Sequence, residues 1–405
     1  MDIGPGITLG AGVSITPPPT APGAPTVGVA TATGITTATV AFTAPVNNGG
    51  ATITSYAIIS TPAGGTGTLT QAGSGTINVT GLTGLTSYTF TVTATNSVGT
   101  SSPSASSNSI TTASPIIGTK KAIFGYGTVT GLAYLSMTNL VSNTGVVSSD
   151  TSGVGTQRIG LVAAGYGGDK AIFGYGLYTT GGRSFNTTTT NLVTNTGVVG
   201  NDVSSAGTAR SRLAATCYGT DKAIFGYGVS QAEYNGTTTT NLVSNTGVVA
   251  NDVTGVGTAR YDLAAVGYGI TGQALFGYGA GTAVTNLVSN TGVVSTDTTG
   301  VGSARAGLAA ASYGSDKALF AYAGAISNLV SNTGVVSNDV SIAGTSRSLL
   351  AAAGYGDDKA IFGYGFSGAP VSMTNLVTNT GVVGNDVSGV GTARYWLAAA
   401  GYSLT

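Results

Sequence analysis

The sequence predicts an all-β protein with two parts, a small sandwich followed by a larger set of repeated sheets. Three observations predict it. The C-terminal two thirds repeats at intervals of 42 to 52 residues, measured between equivalent phenylalanines. Short runs of Val, Ile, Phe, Tyr and Thr alternate with Gly and Asn turns, without a helical period. The final repeat supplies a strand that the first repeat lacks.

Composition excludes several classes of function. Of 405 residues only 7% are charged, 14 Lys and Arg balance 14 Asp and Glu, and His is absent. A neutral surface lacks the basic footprint needed for nucleic acid or anionic membranes. Without His, and with one Cys, the common general base, zinc ligands and disulfide scaffolds are missing. We therefore expect no catalytic residue, metal or cofactor, and no contact with nucleic acid.

Residues 1–19 form an arm rich in Gly, Ile and Pro that precedes the sandwich. The start has no cationic segment followed by an apolar core, so no secretory signal is predicted. No run reaches the roughly 18 apolar residues of a membrane helix, so no membrane insertion is expected. Two interpretations of the arm stay open, a frayed terminus and an anchor that orders against a partner.

Residues 20–113 read as a β-sandwich. Thr39-Val40-Ala41-Phe42 alternates polar and apolar residues, and Asn47-Asn48-Gly49-Gly50 marks a turn. Four runs have the length and spacing of sandwich strands. They are 35–43, 52–60, 75–80 and 86–95.

The run 81–99 resembles the fibronectin type III signature. Leu82 lies six residues before Tyr88, alternating apolar residues follow, and Asn96 and Gly99 close the run. The resemblance implies that Tyr88 is the tyrosine-corner residue and that Phe42 replaces the usual Trp. It also implies a spacer or weak adhesion module, similar to modules of bacterial enzymes and tailed-phage structural proteins.

Each repeat carries an Ala-(Ile/Leu)-Phe run, an Asn-Leu-Val run, one Asp and one Arg. Asn and Asp are 11 residues apart in every repeat. The next Arg follows eight residues later. The repeated charges are Asp150, Arg158, Asp202, Arg210, Asp252, Arg260, Asp297, Arg305, Asp339, Arg347, Asp386 and Arg394.

The two ends of the repeat region are complementary. Residues 114–119 read as a linker, and no Arg-x-x-Leu-Ala-Ala strand precedes Lys121. That strand stands at the far end, within Arg394–Tyr402. A ring needs such half-repeats to close, whereas an open solenoid needs polar caps. Six repeats of about four strands predict a six-bladed β-propeller over 120–405, closed by the C-terminal strand.

The repeat also resembles the kelch repeat. An apolar strand leads to glycines, and a second strand leads to an aromatic residue. The pattern departs from the family in two places: Tyr126 separates Gly125 and Gly127, and Val335-Val336 replaces the usual Trp. The resemblance implies propeller architecture. The predicted fold is therefore all-β, with a fibronectin type III-like sandwich followed by a six-bladed kelch-like β-propeller.

The repeated charges admit two interpretations. They could form a charged ring that grips a carboxylate, as in six-bladed sialidases, or coordinate Ca²⁺ at the Asn-Asp turns. They could instead form one structural ion pair or turn cap in each repeat. We expect the structural role, because function rarely needs six identical copies while stacking of repeats does.

Nearly all variation in repeat length lies between the Phe strand and the Asn-Leu-Val strand. Equivalent connections must emerge on one face of a ring, and binding residues concentrate on such loops. Neutral drift of surface loops is the alternative. The inserts are 128–137, 177–190, 229–240, 280–285, 323–327 and 366–374. The candidate binding residues are Tyr134, Tyr178, Arg183, Phe185, Glu233, Tyr234 and Phe366.

These features favour a non-enzymatic structural and adhesion protein of a tailed phage, a fibre or capsid decoration on the virion surface. Its expected partners are other virion proteins, through the arm, and a host-surface glycan; a homo-oligomer in the particle is compatible with this role. The alternative is a secreted bacterial carbohydrate-active enzyme or carbohydrate-binding protein with an accessory fibronectin-type module. The absence of His and the single Glu, Glu233, argue against the enzyme.

Overall fold

The computed structural model describes residues 17–34, 36–84, 86–112, 121–130, 133–314, 316–356 and 358–402. These ranges contain strands and turns and no helix, so the protein is all-β and no described helix could cross a membrane. The chain divides into two compact units, Met1–Ser114 and Pro115–Thr405. Most of the predicted arm, 1–16, and the predicted linker 114–119 lie outside the described residues.

The first unit is a sandwich of two antiparallel sheets with strand orders β1-β2-β5 and β4-β3-β6-β7. Alternate side chains of β2 and β6 are buried, which gives each sheet one apolar face. Phe42 and Tyr56 pack in the core with ring centroids 4.2 Å apart. The strands are β1 (Thr26–Ala32), β2 (Ala38–Thr43), β3 (Ile53–Thr61), β4 (Thr68–Leu69), β5 (Gly75–Val79), β6 (Ser87–Asn96) and β7 (Ile110–Thr111).

The tyrosine corner predicted at Tyr88 is confirmed. The backbone N–H of Thr83 donates to the Tyr88 hydroxyl at 2.9 Å, and the ring is buried. The four predicted strand runs correspond to β2, β3, β5 and β6. Sequence inspection missed β1 and the two-residue strands β4 and β7. β1 alternates poorly because most of its side chains are exposed or half-buried.

The second unit, which we call the repeat region, contains six antiparallel sheets of one plan among its described residues. In each, a first strand pairs with a second strand and the second with a third. The first strands are β10 (Val162–Tyr166), β16 (Ala214–Tyr218), β20 (Ala264–Tyr268), β23 (Ala309–Tyr313), β27 (Ala351–Tyr355) and β30 (Ala398–Tyr402). The second strands are β8 (Lys121–Thr128), β11 (Lys170–Gly174), β17 (Lys222–Gly226), β21 (Gln273–Gly277), β24 (Lys317–Ala321) and β28 (Lys359–Gly363). The third strands are β9 (Tyr134–Val141), β14 (Thr190–Val193), β19 (Thr240–Val243), β22 (Thr285–Val288), β25 (Ile326–Val330) and β29 (Thr374–Val377).

The last strand of the chain completes the first sheet. β30 pairs antiparallel with β8, with Tyr402 opposite Lys121 and Ala398 opposite Gly125. This is the pairing predicted from the complementary half-repeats. The first strands also contact one another in order, β10 to β16, β20, β23, β27 and β30, and β30 contacts β10.

The expectation of four strands per repeat is wrong for most sheets. The segment after the third strand pairs mainly through isolated bridges, such as Val141 to Val147 and Thr138 to Thr151. The ladder breaks because this segment holds one more residue between the two bridges than its partner strand does, as in a β-bulge. Among the described residues only the fifth repeat has a regular fourth strand, β26 (Val340–Ser341). The remaining short strands are β12 (Leu177–Thr180), β13 (Arg183–Asn186), β15 (Arg210–Ser211) and β18 (Val229–Ser230).

The same three side chains fill the gap between neighbouring sheets. The Tyr227 ring, which follows β17, lies edge-on to Phe276 of the next sheet with centroids 5.1 Å apart. The guanidinium carbon of Arg260 lies 4.4 Å from the centroid of the Tyr227 ring, a cation–π distance. The equivalent contact between Tyr364 and Phe124, at 5.2 Å, joins the sixth sheet to the first.

Five of the six sheets have glycine where a phenylalanine of the next sheet approaches, and the fifth has Ala321 at the equivalent position. A Cβ added to Gly125 would lie 2.7 Å from the Phe173 ring, and one added to Gly363 would lie 2.8 Å from Phe124. Such distances are closer than van der Waals contact, so any side chain here would push the sheets apart. The glycines that punctuate the repeat therefore set the spacing between sheets.

Candidate functional site

The inserts and the chain just before each first strand lie at the same end of the sheets, because first and second strands are antiparallel. Four bridges join them directly: Ile159 to Leu177, Arg260 to Thr237, Ser348 to Phe366, and Tyr395 to Thr128. We call this the insert end. The opposite end, where the Asn-Thr-Gly turns follow the third strands, is called the turn end.

At the insert end, the residues two positions after the repeated arginines form a cycle of backbone hydrogen bonds. Arg212 N–H donates to Gly160 at 2.7 Å, and the following bonds run from repeat to repeat until Gly160 N–H donates to Trp396 at 3.1 Å. We call these six positions the mouth residues. They are Gly160, Arg212, Asp262, Gly307, Leu349 and Trp396.

The mouth residues surround a depression of about 80 Å³ that opens at the insert end. The leucine that follows each mouth residue lines its floor. Deeper along the first strands, a space of about 100 Å³ is lined by five of these leucines, by alanines and by Val162. Because the residues below the mouth are all aliphatic, the chemical variety of these two spaces is concentrated at the mouth.

One side of the mouth carries an ion pair. Arg212 Nε donates to Asp262 Oδ1 at 2.9 Å, and Arg212 Nη2 donates to Asp262 Oδ2. This two-pronged contact raises the pKa of Arg212 above its ordinary value. The guanidinium carbon also lies 4.3 Å from the centroid of the Tyr261 ring. The Arg212 side chain retains 35% of its exposure, so the pair faces solvent at the mouth.

Another side of the mouth is aromatic. The Trp396 ring lies 5.6 Å from the Tyr395 ring, and the Tyr395 ring lies 5.2 Å from Phe366. Trp396 Nε1 is shielded from solvent, and no acceptor among the described residues receives its N–H. Phe366, a residue of the last insert, therefore joins a cluster that begins at the mouth.

The repeated charges lie within the sheets and away from the mouth. The Arg260 side chain is fully buried, and its Nη2 donates to Asn286 Oδ1 at 2.5 Å. Its Nη1 lies 3.9 Å from Asp297 Oδ1. That carboxylate also accepts the backbone N–H of Thr258 at 3.0 Å. Each set holds the chain as it enters a first strand, so the arginines are closed to an external carboxylate.

In the closing repeat, the same Arg, Asn, Asp and Thr contacts join residues from opposite ends of the repeat region. Arg394 Nη1 lies 3.7 Å from Asp150 Oδ1, and Arg394 Nη2 donates to Asn139 Oδ1 at 2.6 Å. Thr392 N–H donates to Asp150 at 2.9 Å. Residues more than 240 positions apart thus reproduce the contacts that Arg210, Arg260 and Arg305 make within their own sheets.

The pKa of each repeated aspartate is lowered. At Asp202, burial raises the pKa, but hydrogen bonds from Thr156 and Asn191, together with the charge of Arg158, outweigh burial. The same causes act at Asp150, Asp252, Asp297, Asp339 and Asp386. These carboxylates are therefore ionised at neutral pH and engaged by their own sheet.

The structure distributes the candidate binding residues over several inserts. Tyr178 and Phe185 face each other across the β12–β13 hairpin with centroids 5.9 Å apart. Arg183 is exposed at the start of β13. Glu233 and Tyr234 lie exposed in the third insert, with Tyr234 at 74% exposure.

Tyr134 differs from the other candidates. It begins β9, pairs with Thr128 and retains only 7% of its exposure. Half of the predicted insert 128–137 is strand, because β8 and β9 extend into it. The Tyr134 ring is therefore packed in the protein and offers no stacking surface.

Metal ligands do not converge in the described part of the chain. No group of three or more His, Cys, Asp or Glu side chains able to hold a metal ion occurs there. The Asn-Asp turns instead direct each carboxylate to a Thr or Ser backbone N–H, as at Thr208 and Asp252.

Sequence inspection missed four mouth residues: Arg212, Asp262, Leu349 and Trp396. The inserts are conspicuous because their lengths differ, whereas these positions lie in a stretch of constant length. Their signal is chemical, because one position among nearly identical repeats holds Gly, Arg, Asp, Gly, Leu and Trp in turn. A position-by-position comparison of the six repeats would have found them.

Comparison with known proteins assigns the first unit. Residues 22–110 match the family model of the fibronectin type III domain. This region is a fibronectin type III domain. The match agrees with the two-sheet sandwich and with the Tyr88 corner. No curated protein matches the chain.

Proposed function

We propose that this chain is a non-enzymatic recognition protein in which a six-bladed, kelch-like propeller presents its insert end to a surface glycan. The fibronectin type III domain serves as a spacer. The observation that carries the proposal is the concentration of variation at the insert end, where residue types and loop lengths differ most between repeats. Repeats that differ mainly where side chains are free to meet a ligand are typical of a rigid scaffold with a recognition face.

The propeller assignment is supported by contacts that return to their starting point. The six mouth residues form a cycle of hydrogen bonds, and β30 contacts the first strands on both sides of it, β10 and β27. The Arg394–Asp150 set joins the end of the repeat region to its beginning. Six twisted sheets around a central passage are the expected architecture of such a cycle.

The non-enzymatic role is supported by the state of the acidic side chains. The repeated aspartates are bound to Thr or Ser and to Asn in their own sheets. At the mouth, Asp262 accepts both prongs of Arg212. A catalytic acid or nucleophile needs a carboxylate that is free to reach the reacting atom, and these carboxylates are already occupied.

The glycan as ligand is supported by aromatic rings beside a few polar groups. Sugars present apolar C–H faces and hydroxyls, which suit Tyr178, Phe185, Tyr234 and Phe366 next to Arg183 and Glu233. Single-site affinity is weak in this scheme. Display of many copies raises the overall avidity by about 10²–10⁴.

Such display fits a tailed-phage virion, where the arm at 1–19 joins other virion proteins as a fibre or capsid decoration. A charge content of 7% and zero net charge limit nonspecific adhesion to polyanions and cations. Immunogold imaging of purified particles with an antibody to the repeat region tests the setting. Gold on the virion surface supports it, and gold on the bacterial envelope alone contradicts it.

The recognition role is tested with the triple variant Tyr178→Ala, Phe185→Ala, Tyr234→Ala. We expect binding to immobilised bacterial surface polysaccharides to fall at least tenfold, because three exposed aromatic surfaces are removed. The matched control replaces Val146, Val198 and Val248 with Ala; these are 61–66% exposed at the turn end. Equal binding by the folded triple variant and the wild type would contradict the proposal that the insert end binds the glycan.

A further inference from the structure

The mouth residues share a backbone conformation that disfavours side chains. Their φ angles are 56° at Gly160, 56° at Arg212, 52° at Asp262, 73° at Gly307, 54° at Leu349 and 55° at Trp396. This left-handed region costs L-residues about 1–2 kcal/mol, and bulky residues adopt it rarely. Glycine satisfies the conformation without strain.

Two repeats use glycine at this position, so the cycle of hydrogen bonds does not need a side chain. The other four repeats carry Arg212, Asp262, Leu349 and Trp396 despite the conformational cost. Strain of this kind is retained where a side chain does something that glycine cannot. The four side chains are directed to the rim of the depression of about 80 Å³.

Their order around the cycle divides the mouth into two walls. Arg212 and Asp262 are neighbours, and Leu349 and Trp396 are neighbours. Gly160 and Gly307 separate the two pairs on both sides. The mouth is therefore a slot with one polar wall, one apolar wall and a glycine at each end.

We propose that this slot binds one terminal pyranose residue of an uncharged saccharide. The apolar face of the ring packs on Trp396 and Leu349, and adjacent hydroxyls bind the Arg212–Asp262 pair. The guanidinium donates to one hydroxyl while the carboxylate accepts from its neighbour. The proposal rests on the proposed function for the choice of a glycan as ligand.

The charge balance of the mouth favours an uncharged ligand. Asp262 neutralises Arg212 through two contacts, so the mouth has no net charge to attract a carboxylate or sulfate. Size selects a chain end. The depression of about 80 Å³ is ringed by the mouth residues and the leucines that follow them, so it has room for one end of a saccharide and not for a length of chain. A sugar therefore enters end-on, and the rest of the chain extends toward the inserts.

The test uses the fluorescence of Trp396, which is the only Trp in the sequence. The full-length protein is titrated with the methyl glycosides of glucose, galactose, mannose and N-acetylglucosamine, and with methyl glucuronide as the charged comparison. We expect a saturable change in emission with at least one neutral glycoside and none with the glucuronide. No change with any neutral glycoside, or stronger binding of the glucuronide, would overturn the proposal.

The double variant Arg212→Gly, Asp262→Gly is expected to bind the active glycoside at least tenfold more weakly. Its melting temperature should stay equal or rise, because glycine relieves the left-handed strain. If the double variant fails to fold, Asp262→Asn, which is nearly isosteric, gives the same comparison. The control, Asp221→Ala with Lys222→Ala, removes an exposed pair at the turn end and should leave the titration unchanged.

The same proteins on immobilised polysaccharides separate the two proposals. Equal binding by the double variant and the wild type, with loss in the Tyr178, Phe185, Tyr234 variant, overturns the mouth site and leaves the recognition role intact. Loss in the double variant supports the mouth site. Absence of binding by the wild type to every polysaccharide and glycoside overturns both.

Discussion

The two ends of the repeated sheets are built from the same strands, yet the six repeats agree at one end and differ at the other. At the turn end, a Ser or Thr hydroxyl accepts the N–H groups of the Asn-Thr-Gly turn, as Ser142 does from Thr144 and Val146. The first Val after each turn is exposed to nearly the same degree, 60–66%. At the insert end, loops range from the β12–β13 hairpin to the short connection between β24 and β25.

This difference separates the scaffold from the surface that we propose recognises a ligand. The Tyr, Phe and Arg contacts between sheets and the Asp–Thr contacts at the entry of each first strand are repeated because every interface has the same geometry. A departure in one repeat would weaken one interface of the cycle. The insert end is released from that constraint, since its side chains meet solvent or a ligand. Residues that recur in every repeat therefore stabilise the interfaces between sheets, and residues that differ between repeats form the candidate site.

The largest effect is expected from truncation after Ala393, which would break the scaffold. It removes β30, which pairs with β8, and Arg394, which contacts Asp150 and the Tyr364 ring. Two strand edges become exposed, so we expect aggregation and loss of the cooperative thermal transition. Size-exclusion chromatography and calorimetry measure both. A monomeric truncated protein with an unchanged melting temperature would contradict closure by the C-terminal strand.

A smaller loss is expected at alkaline pH, from the tyrosines between sheets. Burial raises the pKa of Tyr175, Tyr227 and Tyr278 to about 12. Because their folded pKa lies above the ordinary value of 10.0, their contribution is complete below pH 10 and is lost as pH rises toward 12. Melting temperatures followed from neutral pH through this window should fall mainly above pH 10. A flat profile through the window would show that these phenols are not desolvated.

The smallest effects are expected from single substitutions of two kinds of arginine, one buried between sheets and one exposed in an insert. Arg260→Ala should destabilise by about 3–5 kcal/mol, the range for removing one partner of a buried ion pair. Arg183→Ala, in the exposed hairpin, should stay within about 0.5 kcal/mol. Urea unfolding at neutral pH measures both. Similar losses at the two sites would remove the distinction between scaffold and insert residues.

The sequence alone was sufficient for the longer strands of the sandwich and for the pairing that joins the two ends of the repeat region. Alternation predicted β2, β3, β5 and β6, and the signature around Tyr88 predicted the corner. The missing first strand predicted that β30 pairs with β8. Short strands such as β4 and β7 were missed, because two residues carry no period that could be recognised.

The partners of the repeated charges could not be derived from spacing. The Asp and Arg nearest in sequence, Asp202 and Arg210, are eight residues apart. The structure instead pairs Arg210 with Asp252, at 3.5 Å from Nη1 to Oδ1. The chain crosses to a new sheet between Asp202 and Arg210, so the closer residue in sequence belongs to a different sheet. Only the order of the sheets decides which carboxylate an arginine meets.

What the sequence determined by itself is the part governed by local chemistry: two β units, the strands of the repeat and the residues that every interface needs. Tertiary structure alone decided which positions meet across the cycle. Arg212, Asp262 and Trp396 lie 50 or more residues apart, with no local pattern that relates them. They converge because the cycle of backbone hydrogen bonds joins the residues that precede successive first strands. The same packing buried Tyr134, whose type and position suggested a surface role.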